Sequence, residues 1–374
     1  VNRFVTPRLA ARALRAFLFA RGVERRFQSS PALSDAFSHR GVRFADEVSA
    51  RDLGFMLLHQ APWAARCLLE FDAAFRALAP RVVCLYAESS GLGRAAIAAA
   101  RRQGVRTLGV QHGILYPNYY SYERGAGEIE SGSPLSDLTA VYGRDGMRLL
   151  ESTFRYPKGR VVATGSPRYD ALAAEAARAD RLARRRELGW PEHGRVLVLA
   201  SRYRGIRDTH KAAGPAFTSL LDAVRGLGDA TLVVKPHPAE PGDAYNEDIA
   251  AAGLGPRIRV VTDETLTRLL PAADLLITVE SLSATEALVA GVPVVVLRHP
   301  SNLRDVVASG AALGVREGES PLTAIRSLLE DPVARDAWRV ARDAYIADVA
   351  HGADGGALGR LMSLLADADA GALG

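Results

Sequence analysis

The chain has little cysteine: Cys67 and Cys84 are its only two thiols in 374 residues. That excludes a disulfide framework, and no Cys/His spacing of a metal site occurs either. Both thiols stand among apolar neighbours and are expected to be buried, which suits a reducing cytoplasm. No apolar run approaches the ~20 residues that a membrane-crossing helix needs. No signal-peptide pattern is present, although a chain that begins at Val1 says nothing about targeting. Internal repeats are absent, so a solenoid or propeller is excluded. The composition is that of a globular protein, 48% hydrophobic and 24% charged, and the length suffices for two domains.

The net charge of +5 is unevenly spread. Residues 1–26 hold seven arginines (3, 8, 12, 15, 21, 25 and 26) against Glu24, which leaves the remainder close to neutral. A nucleic-acid groove needs positive charge along the body of the fold, so nucleic acid is excluded as a partner. Pro7 to Arg21 has the spacing of an amphipathic helix. Arg8, Arg12 and Arg15 share one face, and Leu9, Ala13, Phe17 and Ala20 another. Two readings stay open: a helix resting on an anionic membrane surface through residues 3–26, or a first helix packed on its own domain with a solvated basic face.

Beyond residue 40 the chain alternates mostly between strand and helix patterns. A weak strand at 41–45 and a helical stretch at 52–78, interrupted at Pro62, lead into a strand at 81–87, a helix at 95–102 and a strand at 106–110. Trp63 is expected in the core. Gly91 and Gly93 precede that helix, but the full dinucleotide glycine fingerprint is missing. A polar, tyrosine-rich connection at 118–134 is long enough to suggest a binding loop. Strand, helix and strand patterns at 138–142, 145–153 and 160–164 close the first run. An alanine- and arginine-rich stretch then reads as an exposed connector. A second run starts at Arg195. The pattern predicts an α/β fold of two doubly wound domains facing a cleft: 1–166, a connector 167–194, 195–350, and a last helix in 351–374 that returns to the first domain.

Candidate chemistry sits where strands end. Gln111-His112-Gly113 follows one strand, Ser201-Arg202 another, and Lys235-Pro236-His237-Pro238 a third; the two prolines stiffen the backbone around His237. In the stretch from Ala273 to Leu297, a buried strand is followed by Ser281 and Ser283, read as the start of a helix with Ser281 as N-cap. Gly291 ends that helix and Pro293 opens the next strand. Hydroxyls beside exposed backbone N–H groups form an anion site.

These motifs resemble glycosyltransferases of the B-type, two-domain fold. Thr164-Gly-Ser-Pro167 and Glu286-Ala-Leu-Val-Ala-Gly-Val-Pro293 look like marks of that fold. Gln111-His-Gly113 is similar to a histidine–glycine motif of CDP-glycerol glycerophosphotransferases and capsule polysaccharide enzymes. Lys235-Pro-His-Pro238 contains the His-Pro motif of bacterial sialyltransferases and capsule Kdo transferases. The two serines are separated by Leu282, where several relatives have adjacent hydroxyl residues, and the acidic motif of many bacterial sialyltransferases has no clear counterpart.

The resemblance implies a metal-independent transferase with no bound cofactor. Its donor would be a nucleotide-activated sugar, foremost a CMP-activated acidic sugar (Kdo or a nonulosonate), and its acceptor a glycan or lipid-linked glycan of the cell surface. The expected location is the cytoplasm, peripheral at the inner face of the membrane. His112 is the first choice of base, since an imidazole with an ordinary pKa of roughly 6.5 suits proton abstraction near neutrality; Glu88 is the second. His237, Ser281, Ser283 and Lys235 would hold the donor phosphate, with Ser201, Arg202, Pro238 and Thr285 beside them, and Glu286 the ribose. The alternatives are a CDP-glycerol-type glycerophosphotransferase, a UDP-GlcNAc 2-epimerase-like enzyme, and a non-catalytic binding protein on the membrane surface.

Overall fold

The computed structural model describes residues 4–44, 54–117, 119, 121–201, 215–238, 240, 241 and 243–371. Two parallel sheets dominate. A small antiparallel ladder, β1 (Ser38–His39) with β2 (Val42–Arg43), precedes them. The first sheet contains β3 (Val82–Tyr86), β4 (Arg106–Val110), β5 (Leu138–Val141) and β6 (Val161–Ala163) in sequence order. The second contains β7 (Arg195–Ala200), β8 (Ala230–Lys235), β9 (Ile258–Val260), β10 (Leu275–Thr278), β11 (Val294–His299) and β12 (Leu313–Arg316), ordered β12-β11-β10-β7-β8-β9. Both halves are Rossmann-like. The central strands of the second sheet are unbroken apolar runs because helices cover both faces, leaving no solvent side to demand polar alternation.

The first helix runs from Pro7 to Gln28, started by Thr6, whose hydroxyl accepts from the Leu9 N–H. Leu9 and Ala20 are buried while Leu14, Leu18 and Phe19 are exposed, so the inward face is the one read from the sequence and a second apolar strip points out. A π-helical turn, Met56–Gln60, leads directly into the helix Ala61–Leu78, so Pro62 is absorbed in a helix start without a break. Trp63, expected in the core, is 46% exposed. Its ring lies over Gly91, where a Cβ would come within 3.0 Å.

The helix after β3 begins at Gly91, four residues before the expected start, because the Ser90 hydroxyl accepts from the Gly93 N–H. Cys67 is buried, but Cys84 is exposed, contrary to expectation. Val83 and Leu85 of the edge strand β3 pack toward the helices, leaving Cys84 on the other face. That face is covered farther in, over β4 and β5, by the helix Ala357–Asp369, whose Leu361, Leu364 and Leu365 pack on Leu108, Leu138 and Ala140.

The stretch expected to be an exposed connector is anchored. It forms the helices Pro167–Arg178 and Arg181–Glu187, with Tyr169, Leu172 and Trp190 in the core of the second half. Arg185, 3% exposed, pairs with Asp274 at 2.6 Å and donates to the carbonyls of Ala272 and Gly194. Asp274 also accepts from the Val196 N–H, so one carboxylate ties the connector to the start of β7. The helix Asn246–Ala252 and strand β12 have weak sequence patterns and were not anticipated.

The halves meet closely at Gly143. Its backbone is extended and unstrained, but a Cβ there would lie 2.1 Å from the Asp348 carbonyl oxygen. Gly143→Ala is expected to lower stability by about 1–3 kcal/mol through overpacking, read as a lower denaturation midpoint; an unchanged midpoint would mean that this junction yields freely.

Candidate functional site

Along the second sheet the chain steps from β7 to β8 and β9, then returns past β7 to β10, β11 and β12. The reversal falls between β7 and β10. In open parallel sheets the crevice beyond the carboxyl ends at such a point receives ligands. Ser201 follows β7 there, and Ser281 and Ser283 follow β10. The loop after β8 carries Lys235, His237 and Pro238, next to Ser201, because Ala200 pairs with Lys235 in register.

One carboxylate organises this edge. Glu240 accepts from the His237 N–H at 3.0 Å, from the Tyr245 hydroxyl at 3.1 Å and from the Ser201 hydroxyl. The Ser201 oxygen in turn accepts from the His237 N–H at 2.9 Å. The His237 backbone is thereby fixed and its side chain is exposed. Glu240 was missed in the sequence; its place three residues after a His-Pro turn was the available signal. The Lys235 ammonium donates to the Thr262 carbonyl at 3.0 Å. Arg202 lies outside the described residues.

The β10 edge departs from the expected cap. The helix is Ser283–Val289, and the Ser281 hydroxyl accepts from the Ser283 N–H at 3.2 Å as a tight turn ahead of it. Ser283 is 3% exposed, and its hydroxyl faces Thr278. Thr285 is buried beside Tyr345. Glu286, expected to meet a ribose, is 4% exposed and bonded to Arg168 at 2.5 Å. Burial pushes its carboxyl up, and the Arg168 guanidinium offsets part of that. Arg168 also lines a groove with Leu172, Thr265, Leu266 and Thr267, a feature with no sequence motif to announce it.

Across the cleft, β4 delivers Gln111 and His112. Gln111 is buried; its amide donates to the Gly113 carbonyl at 2.6 Å and accepts from the Tyr142 N–H at 2.8 Å, which fixes the loop. His112 sits among tyrosines. Nε2 lies 3.1 Å from the Tyr119 hydroxyl and Nδ1 3.4 Å from that of Tyr122, while the Tyr86 hydroxyl donates to the His112 carbonyl at 3.0 Å. Burial pushes the imidazole below its ordinary range. Tyr116, Tyr119 and Tyr122 line up because successive i→i+3 backbone bonds, Tyr119 to Tyr116 and Tyr122 to Tyr119, eclipse side chains three apart.

Glu88, the second candidate base, is 2% exposed. One of its oxygens accepts from Thr139 at 2.8 Å. The carboxyl rests on Gly109, where a Cβ would fall 2.2 Å from its other oxygen. Burial pushes its pKa up, with the hydroxyls of Ser136 and Thr139 pulling the other way. In this structure the acid is therefore closed off from solvent.

Tyr142 stands between the two sides. Burial, the nearby Tyr86 and Glu286 hold its hydroxyl up, to about 12, with Arg168 opposing. A cavity of about 200 Å³ opens between the halves, lined among others by Gln111, Leu115, Tyr142, Thr285, Asn302 and Tyr345. His112 is not among its lining residues. No cluster of His, Cys, Asp or Glu suited to a metal occurs among the described residues.

The family model for CDP-glycerol:poly(glycerophosphate) glycerophosphotransferase matches residues 102–279, just under half the chain. No curated protein matches. Among solved structures, the UDP-GlcNAc 2-epimerase of Neisseria meningitidis bound to UDP-GlcNAc is 18% identical, covering 82% of this chain and 81% of its own, with a TM-score of 0.57. A glycosyltransferase from Rickettsia africae is 12% identical over 81% and 80%, at 0.53. The wall teichoic acid polymerase TagF is 17% identical over 73% and 70%, at 0.51. The chain therefore has the two-domain fold of B-type glycosyltransferases.

Glu88 generates a pH signature. Its folded pKa lies above the unfolded value of ~4.3, so its contribution to stability is present in acid and is lost as pH rises through the folded pKa. Glu88→Gln is expected to melt close to the wild type near pH 4 and progressively above it toward pH 8. A difference that stays constant with pH would contradict the assignment.

Proposed function

We propose that the chain is a transferase acting on a cytidine-nucleotide donor, with His112 as base and the carboxyl edge of the second sheet as donor site. The family match carries this reading, since its span includes both Gln111-His-Gly113 and Lys235-Pro-His-Pro238. It favours transfer of an alcohol phosphate from a CDP-linked donor. Transfer of a CMP-activated acidic sugar (Kdo or a nonulosonate) is the second reading, supported by the His-Pro motif.

In the first reading the acceptor hydroxyl gives its proton to the His112 imidazole. The acceptor oxygen bonds to the phosphorus carrying the alcohol, and the bond from that phosphorus to the CMP oxygen breaks. Fixed donors at the departing phosphate stabilise it as charge grows, each such donor being worth ~2.7–4 kcal/mol where measured. His237, Ser281 and Lys235 are assigned that task, with Ser283 behind Ser281. Glu286 and Arg168 tie the connector helix to the helix after β10 beside the donor. No metal or cofactor is assigned.

The acceptor is a surface glycan or a lipid-linked chain, and the first helix brings the protein to it. Leu18 is 57% and Phe19 75% exposed on a helix that also presents Arg8, Arg12 and Arg15 to solvent. Apolar side chains among cations suit an anionic bilayer surface. No helix among the described residues is long and apolar enough to cross a membrane.

The first test is calorimetry with CMP, CDP, UDP, UMP and GDP. A ligand at 100 times its Kd stabilises by ~2.7 kcal/mol. Preference for CDP supports alcohol-phosphate transfer, CMP the acidic-sugar reading, and UDP overturns the cytidine assignment. His112→Ala should abolish turnover while nucleotide affinity is kept. Leu18→Asp/Phe19→Asp, which spares the packed face, should reduce flotation with anionic liposomes at least several-fold; equal flotation removes the helix as an anchor.

A further inference from the structure

A base needs a lone pair aimed at its substrate, and His112 has both ring nitrogens engaged. The two hydroxyl partners differ in kind. Tyr122 is 1% exposed and built into a cluster with Leu115, Val141, Leu150, Phe154 and Tyr156. Its ring is near-parallel to the imidazole, at 20° with centroids 6.1 Å apart. Tyr119 is half-buried and packs only against the outside of that cluster. Nδ1 therefore faces a fixed partner, and Nε2 one that a substrate can replace.

We infer that Tyr122 is the positioning residue of His112: its oxygen accepts the Nδ1–H, which leaves the Nε2 lone pair for the acceptor hydroxyl, and Tyr119 Oη marks where that hydroxyl sits. This rests on the reading of His112 as base. The Tyr122 hydroxyl also interacts with Ser89. The groups facing the imidazole are the phenols of Tyr86, Tyr119 and Tyr122, from the end of β3 and the loop after β4. Among the described residues no carboxylate takes the orienting place, so the tautomer depends on one neutral oxygen. During transfer the acceptor O–H bond breaks and an Nε2–H bond forms. The oxygen's electron pair enters the new bond to the donor, and Nδ1–H keeps its bond to Tyr122 as the ring becomes cationic.

The tautomer can be read without substrate. Long-range 1H–15N NMR of the full chain with labelled histidine, the His112 signals identified by their loss in His112→Ala, should show one dominant Nδ1–H form near neutral pH. Tyr122→Phe, which keeps the ring, should give a mixture of tautomers and a lower titration midpoint. Tyr119→Phe should keep the Nδ1–H form. A dominant Nε2–H form in the wild type overturns the proposal, even if Tyr122→Phe does not fold; so does a tautomer ratio that Tyr122→Phe leaves unmoved. Retention of turnover by His112→Ala would sink the base reading instead, and that outcome is separate from the tautomer.

Discussion

A parallel sheet with helices on both faces has only its strand ends left for chemistry. That constraint governs this molecule. The apolar runs of β7, β8, β10 and β11 give no side chain to solvent along their length, and the polar groups of the candidate site come from the segments that follow carboxyl ends. The reversal of strand order between β7 and β10 then decides which ends lie beside a crevice. Ser201, His237 and Ser281 are far apart in sequence and adjacent in the sheet for that reason alone.

The two sides of the cleft are stiffened differently. At the carboxyl edge of the second sheet a single carboxylate, Glu240, gathers three donors and fixes the His237 backbone. Charge-assisted bonds of this kind are about twice as strong as neutral ones. At the end of β4 no charged side chain among the described residues touches His112; tyrosine rings and one glutamine hold it. The low polarity around the imidazole and its depressed pKa have one cause, burial among phenols, which favours the neutral ring.

The alternation of apolar runs and turns made the strands of both sheets legible in the sequence apart from β12, because parallel strands buried on two faces are continuous apolar segments. The motif histidines were legible too, since they stand next to glycine or proline at strand ends. What escaped notice depends on tertiary contact. Arg185 and Asp274 form a buried pair 89 residues apart, so an arginine-rich helix looked like a surface connector. Arg168 meets Glu286 only because two helices distant in sequence cross. Trp63 and Cys84 belong to elements at the rim of the first sheet, where no periodicity reveals which face stays open. Glu240 gives only its place after a His-Pro turn, and its importance lies in the number of donors that converge on it.

The helix Ala357–Asp369 lies on the first sheet, although the whole second half separates it from the strands it covers. During synthesis the first half leaves the ribosome with Leu108, Leu138 and Ala140 still uncovered on that face. Domains emerging early ordinarily fold early; here the earlier half lacks one covering layer until the helix Ala357–Asp369 is made. That helix is thus a closing layer, since the sheet that carries His112 at the end of β4 is covered only once the second half has been made.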